Sequence, residues 1–168
     1  MLIVFTGLPG TGKTTLATQL AARLGCAIAE IDAIGSALRR AGATPDPIGL
    51  ADYVIAETIA DATLRAGATI IIDAVNGVEP ARAMWRDLAE RHGTPLRIIE
   101  IVCADAAEHR HRVEQRNRNL AHRDEPTWSD VQTREYEPWH DDRLVLDSRD
   151  TLAACLSRAE SYVTAAAR

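Results

Sequence analysis

A three-layer α/β fold, with a parallel sheet between two layers of helices, is what the sequence predicts, on three observations. The apolar runs are short, the segments between them are longer and helically periodic, and the two alternate along the whole chain. Alternation of this kind builds βαβ units, whose crossover helices cover both faces of the sheet.

The elements follow in order. "LIVFT" at 2–6 is the first strand, and a glycine-rich turn leads into a helix at about 13–24. "AIAEI" at 27–31 is the second strand, followed by a helix at 32–41 that Gly42 and Pro45 close. A helix at 47–66 ends at Gly67, and "TIIID" at 69–73 is the third strand. Pro80 fits the first turn of a helix at 79–92, which Gly93 and Pro95 separate from a fourth strand, "LRIIEIV", at 96–102. A helix at 105–117 runs into a polar stretch, 117–127, that reads as an exposed excursion. Thr127 and Asp130 form a capping-box pattern for a helix at 128–136, with Pro138 ending it. "RLVLD" at 143–147 is the fifth strand, and a helix at 151–167 follows. With no linker and no repeat, 168 residues read as one domain spanning 1–168.

Composition excludes several classes. Apolar residues make up 46% and charged residues 26%, which suits a packed core rather than a disordered chain. A net charge of -5 provides no broad positive field for duplex nucleic acid or an anionic membrane, although a local basic patch stays open. Cys26, Cys103 and Cys155 are scattered without a C-x-x-C, as expected of three buried thiols in a reducing compartment. Met1 leads straight into a strand rather than a signal-peptide pattern, and no apolar run reaches bilayer length, so the expected location is the cytoplasm, with no membrane contact. Oligomeric state is not encoded in any pattern of this kind.

Every basic position but one is arginine or histidine; the exception is Lys13. It lies in Gly7-Leu8-Pro9-Gly10-Thr11-Gly12-Lys13-Thr14, a G-x-x-x-x-G-K-[ST] match that follows the first strand and opens a helix. Glycines let backbone N–H groups converge on phosphate oxygens, and the helix presents its positive end there. A compact ammonium on a flexible stem reaches between β- and γ-phosphates, which a planar guanidinium does less well. Gly7, Leu8, Pro9, Gly10, Thr11, Gly12, Lys13, Thr14 and Thr15 are therefore the candidate nucleotide-binding set, with the Thr14 hydroxyl directed at Mg²⁺.

Asp73 closes the third strand, where a carboxylate orients Mg²⁺ or merely caps the strand. Asp32 follows the second strand in the same way, as a candidate base or an ordinary helix N-cap. Two such carboxylates beside one phosphate loop permit one to face the metal and the other an acceptor hydroxyl. A guanine-reading N-K-x-D is ruled out because Lys13 is the sole lysine. The stretch 109–123, "HRHRVEQRNRNLAHR", is the densest basic run; Arg112 and Arg116 share a helical face, and its histidines read as solvated rather than zinc ligands. Tyr53, Trp85, Trp128, Tyr136 and Trp139 read as core or hinge packing before substrate stacking, and Asn76 reads equally as an acceptor contact or a turn residue.

With these residues in view, the chain resembles the small ATP-dependent P-loop kinases of the zeta-toxin, chloramphenicol phosphotransferase and polynucleotide kinase type. The resemblance rests on "GLPGTGKTT", "EIDAIGSALR" at 30–39, "IIIDAVN" at 70–76, "RVEQRNR" at 112–118 and "REYEPW" at 134–139, in that order. It implies a P-loop NTPase with a nucleoside-monophosphate-kinase-like core and a short lid, using ATP and Mg²⁺. It implies Asp32 as general base toward a small-molecule hydroxyl, Asp73 and Thr14 at the metal, Lys13, Arg112 and Arg116 on the phosphates, and adenine near Ser148 and Arg149. Relatives that act on phosphorylated acceptors carry D-x-x-R, whereas Gly35 stands at that position here, which favours a neutral or differently anchored alcohol over a nucleic-acid 5'-end. The other alternative is an ATP-binding regulatory module with weak ATPase activity.

Overall fold

A computed structural model describes residues 1–43, 50–119 and 126–165, with side chains excluded at 116–119. Five strands, β1 (Leu2–Thr6), β2 (Ala27–Glu30), β3 (Ile70–Asp73), β4 (Leu96–Val102) and β5 (Leu144–Asp147), form one parallel sheet in the order β2-β3-β1-β4-β5. Seven helices are described: α1 (Lys13–Leu24), α2 (Ile31–Arg40), α3 (Ala51–Arg65), α4 (Glu79–Arg91), α5 (Ala106–Asn119), α6 (Trp128–Thr133) and α7 (Leu152–Thr164).

Strand periodicity sends alternate residues to opposite faces. Ile3, Phe5, Ile71, Ile99 and Leu146 pack against α1 and α7 through Leu16, Leu20, Leu156 and Val163. Leu2, Val4, Ile70 and Ile72 pack on the other face against Ala56, Ala60, Trp85 and Leu88 of α3 and α4. β1 is buried over its whole length, which explains why it has no polar alternation.

Connections leave β1 and β3 in opposite directions, toward β2 and toward β4, so a crevice opens between the C-terminal ends of these two neighbouring strands. All candidate residues on strand ends therefore fall on one edge of the sheet.

Boundaries differ from the sequence reading in places. α6 ends at Thr133 rather than near 136, because Arg134 turns to extended backbone and residues 135–139 cross over the β3–α4 turn, where Glu137 N–H bonds Gly77 O at 2.8 Å. Pro138 is compatible with this, since a residue before proline avoids helical geometry. α5 continues to Asn119, and the expected excursion therefore begins later; residues 120–125 of it lie outside the described residues, as do 44–49, which include the expected start of α3. The Thr127–Asp130 capping box is present in both directions. Of the three cysteines only Cys155 is buried; Cys26 and Cys103 are half-buried, Cys26 on the edge strand's approach and Cys103 just past the end of β4.

Candidate active site

The loop from Gly7 to Gly12 is shaped by three glycines with left-handed φ, 134°, 82° and 95° at Gly7, Gly10 and Gly12. At Gly7 a Cβ would lie 2.2 Å from the Ile101 carbonyl oxygen, and at Gly10 one would lie 2.5 Å from Val113 Cγ2, so close packing as well as conformation requires glycine at both. Gly12 is the N-cap of α1, and no side chain caps this helix end. The N–H groups of its first turn and the helix dipole together make a place for an anion.

Lys13 is buried, and its Nζ donates to Leu8 O at 3.1 Å, a carbonyl that also accepts from Thr11 Oγ1 at 2.9 Å. Thr14 Oγ1 donates to Asp73 Oδ2 at 2.6 Å, uniting the two groups expected at the metal, while Thr15 faces solvent one residue on. A donor set of one hydroxyl and one carboxylate, both hard oxygens, fits Mg²⁺, which takes few protein ligands and completes its shell with water and phosphate. Among the described residues, no group of three His, Cys, Asp or Glu side chains could hold a metal ion.

Asp32 is exposed in the first turn of α2. Glu30, two residues before it, pairs in register with Asp73, so Asp32 and Asp73 stand past the ends of adjacent strands. It does not cap α2: the N-cap is Glu30, whose side chain makes no capping hydrogen bond to the helix. Asp52 at the start of α3 joins this flank. Burial pushes its carboxyl above the usual range, the Tyr53 N–H counters this, and the negative charge of Asp32 raises it further. Tyr53 beside it is pushed up to about 12, mainly by burial. The sequence reading overlooked Asp52 because an acid at a helix start is ordinary.

On the opposite flank Arg112 reaches the β5–α7 loop, where Nη1 donates to Ser148 Oγ at 2.8 Å and Nη2 to Ser148 O at 3.3 Å. Ser148 Cβ would be 3.8 Å from a Cβ at Gly12, so Arg112, Ser148 and the end of the phosphate loop meet. Arg149 instead binds Asp147 through Nε at 2.8 Å. Arg116 lies one turn beyond Arg112 on α5, and its side chain is outside those described.

Several side chains at this edge differ from expectation. His109 is buried rather than solvated, with Nε2 2.7 Å from Pro9 O and its ring edge-on to Trp128. Asn76 is fully buried with φ 49°, and it donates Nδ2 to Phe5 O at 3.1 Å and accepts Trp85 Nε1 at 2.9 Å. Both ends of its amide are engaged in holding the turn after β3, which is the turn role. Glu100 in β4 accepts the Tyr136 hydroxyl at 2.8 Å and Arg143 Nε at 2.6 Å. Arg82, 2% exposed, gives its donors to the carbonyls of Asn76, Gly77, Glu137 and Pro138 and lies 4.0 Å from the Trp139 ring centroid. A single acid inside "RIIEIV" was a readable signal for Glu100; nothing in a helical "PARAMW" distinguishes Arg82 from a surface arginine.

A sequence profile described as an AAA domain matches residues 2–138. No curated protein matches the sequence. Among solved structures, a candidate kinase of Chloroflexus aurantiacus is similar at 19% identity with a TM-score of 0.79, covering 96% of this chain and 97% of that one. The APS kinase CysC of Mycobacterium tuberculosis, in complex with AMPPNP and APS, is similar at 17% identity and TM-score 0.69, over 98% and 97% of the two chains. Kti12 of Chaetomium thermophilum, in complex with ADP-AlF3, is similar at 23% identity and TM-score 0.71, over 98% and 100%. At such identities these likenesses establish the fold. Among the described residues, no helix is long and apolar enough to cross a membrane.

Proposed function

The chain belongs to the AAA domain family, and from that premise we propose that it transfers the γ-phosphoryl group of ATP to a hydroxyl of a small-molecule acceptor. The observation that carries the reading is the Thr14–Asp73 hydrogen bond at the mouth of the phosphate loop, with Asp32 past the end of the neighbouring strand. Two carboxylates so placed divide the work. Asp73 and Thr14 would hold Mg²⁺, which when bound neutralises charge on the transferring group.

Lys13 leaves the Leu8 carbonyl to meet the β- and γ-phosphates, and the amides of residues 10–14 bind their oxygens. Arg112 and Ser148 border the nucleotide's other end. Asp32 accepts the acceptor's hydroxyl proton as the O–P bond forms, ADP leaving on the opposite side. Most of the rate comes from alignment and charge stabilisation, because the transfer is loose.

Within the family we place the chain near the chloramphenicol phosphotransferase and zeta-toxin type of kinase, on the order of its five motifs, and take 1–168 as a single catalytic domain. The free thiols of Cys26, Cys103 and Cys155 fit a reducing cytoplasm. APS is a small molecule held beside AMPPNP on a similar fold, which supports a small-molecule acceptor over a nucleic-acid end.

The test is ADP release with Mg-ATP across sugars, nucleosides, aminoglycosides, phenicols and a 5'-hydroxyl oligonucleotide, with Lys13→Ala as the blank. One acceptor that raises ADP release above the water rate, and does so only with Lys13 present, establishes the phosphotransferase and its substrate class. ATP binding with no stimulating acceptor would favour a regulatory ATPase.

A further inference from the structure

A phosphate cradle works only if its amides point inward, which means that the carbonyls of the same peptides point outward and need donors of their own. Two such carbonyls lie in succession here. Leu8 O accepts from Thr11 and Lys13, both within the loop. Pro9 O has a partner from a distant part of the chain, His109 Nε2 on α5, at 2.7 Å.

The two differ in consequence. The peptide after Leu8 carries no N–H, because the next residue is proline, so its orientation aims no donor. The peptide after Pro9 carries the Gly10 N–H. In a trans peptide this N–H is antiparallel to the carbonyl, so holding Pro9 O toward α5 turns the Gly10 N–H the other way, into the cradle. A carbonyl can only accept, so the imidazole must carry its proton on Nε2. Both the Nε2–H tautomer and the imidazolium satisfy this.

A cavity of about 120 Å³ lies between the loop and β4, with Leu8, Thr11, Glu100, His109 and Tyr136 in its wall. Beside Gly10, an added Cβ would meet Val113 Cγ2, one helical turn after His109, at 2.5 Å and the His109 ring at 3.5 Å. The ring of His109 is itself braced from α6, with the Trp128 ring T-shaped to it at 5.2 Å and 81°. α6 thus reaches the phosphate loop through the His109 imidazole.

We propose that His109 is a positioning residue that aims the Gly10 N–H at the nucleotide's phosphate, and that Trp128 acts on nucleotide affinity through it. The inference rests on the phosphotransferase reading only for the presence of a bound nucleotide, and it is independent of the acceptor.

The test is calorimetric binding of Mg-ADP, together with the Gly10 amide proton shift in glycine-labelled protein, in wild type, His109→Phe, His109→Gln, Trp128→Ala and the His109→Phe/Trp128→Ala pair. Loss of one buried hydrogen bond should weaken binding about tenfold in His109→Phe. His109→Gln, whose Nε2 can occupy the position of the imidazole Nε2, should bind close to wild type. Trp128→Ala should weaken binding severalfold alone and add nothing in the His109→Phe background. The Gly10 proton should move downfield on binding in wild type and His109→Gln only, a readout that simple loss of stability would not give. If His109→Phe lowers the folded fraction, His109→Asn, with an amide too short to reach Pro9 O, takes its place against His109→Gln.

Equal losses in the donor and non-donor variants, multiplicative effects of the two positions, or the same Gly10 shift in all variants would overturn the inference while leaving the nucleotide site intact. Absence of Mg-ADP binding by the wild-type chain would overturn the phosphotransferase reading and this inference with it.

Discussion

The Thr14 hydroxyl donates its one proton to Asp73 Oδ2 at 2.6 Å, joining the first turn of α1 to the end of β3 across the crevice. With its proton so committed, the Thr14 oxygen keeps its lone pairs for a cation. Asp73→Asn removes the carboxylate charge from this pair, and it should weaken Mg²⁺ dependence of nucleotide binding by about 10- to 100-fold, the range for altering a group that supports a metal. Titration of Mg²⁺ into the ADP complex reads this directly, and an unchanged Mg²⁺ midpoint would remove Asp73 from the metal.

Asp32→Asn should lower kcat by about 10²- to 10⁴-fold with little effect on Mg-ADP binding, because in the proposed function Asp32 serves the acceptor hydroxyl and not the phosphates. Steady-state rates paired with calorimetry separate the two effects. Equal turnover in the variant would show that another group takes the proton.

Arg82→Met should destabilise the fold by about 3 kcal/mol or more, since the carbonyls of Asn76, Glu137 and Pro138 lose the Arg82 donors inside the protein, Gly77 O keeps the Glu137 N–H and loses Arg82, and the Trp139 ring loses its cation. Urea denaturation measures it. Met fills most of the aliphatic volume, so the polar loss dominates; a change under about 1 kcal/mol, the worth of one exposed contact, would assign the seating of residues 135–139 to other bonds.

Asp52 carries a pH signature. Burial raises its folded carboxyl above the unfolded value, so the native state holds the proton more tightly and loses stability as pH rises through the folded value. Asp52→Asn has no such penalty. Its thermal midpoint relative to wild type should therefore rise between the ordinary carboxylate range, about pH 4, and neutrality, and the rise should shrink when Asp32 is also made neutral. A constant offset across that range would contradict this assignment.

Sequence alone carried the sheet because strand and helix periods alternate without interruption, and it singled out Thr14 and Asp73 as candidates, which the structure joins by a hydrogen bond. It was less informative where a residue's role depends on a partner far along the chain. His109 looks like one histidine in a basic run, and its burial follows from Pro9 and Trp128, neither adjacent in sequence. The end of α6 was misplaced for the same reason: "REYEPW" is helix-compatible until Arg82 claims the carbonyls of Glu137 and Pro138 and Gly77 O takes the Glu137 N–H. Asn76 left two roles open because its side chain is polar, and only the positions of Phe5 and Trp85 decide between them.

β2 hydrogen-bonds to β3 alone, and the segment that contains it is bounded by Gly25 and Gly67, left-handed turns at which an added Cβ meets nothing within 4 Å. The described residues of 26–66 are an edge strand and the helices that follow it, α3 packing also on β1, β3 and α4. Lys13, Thr14, Arg112 and Ser148 all lie outside this segment, whereas Asp32, Asp52 and Tyr53 lie inside. Under the proposed function, recombination at the two glycines would exchange the flank assigned to the acceptor and leave Lys13, Thr14 and Arg112 in place, a route by which one engine acquires new substrates without relearning how to hold phosphate.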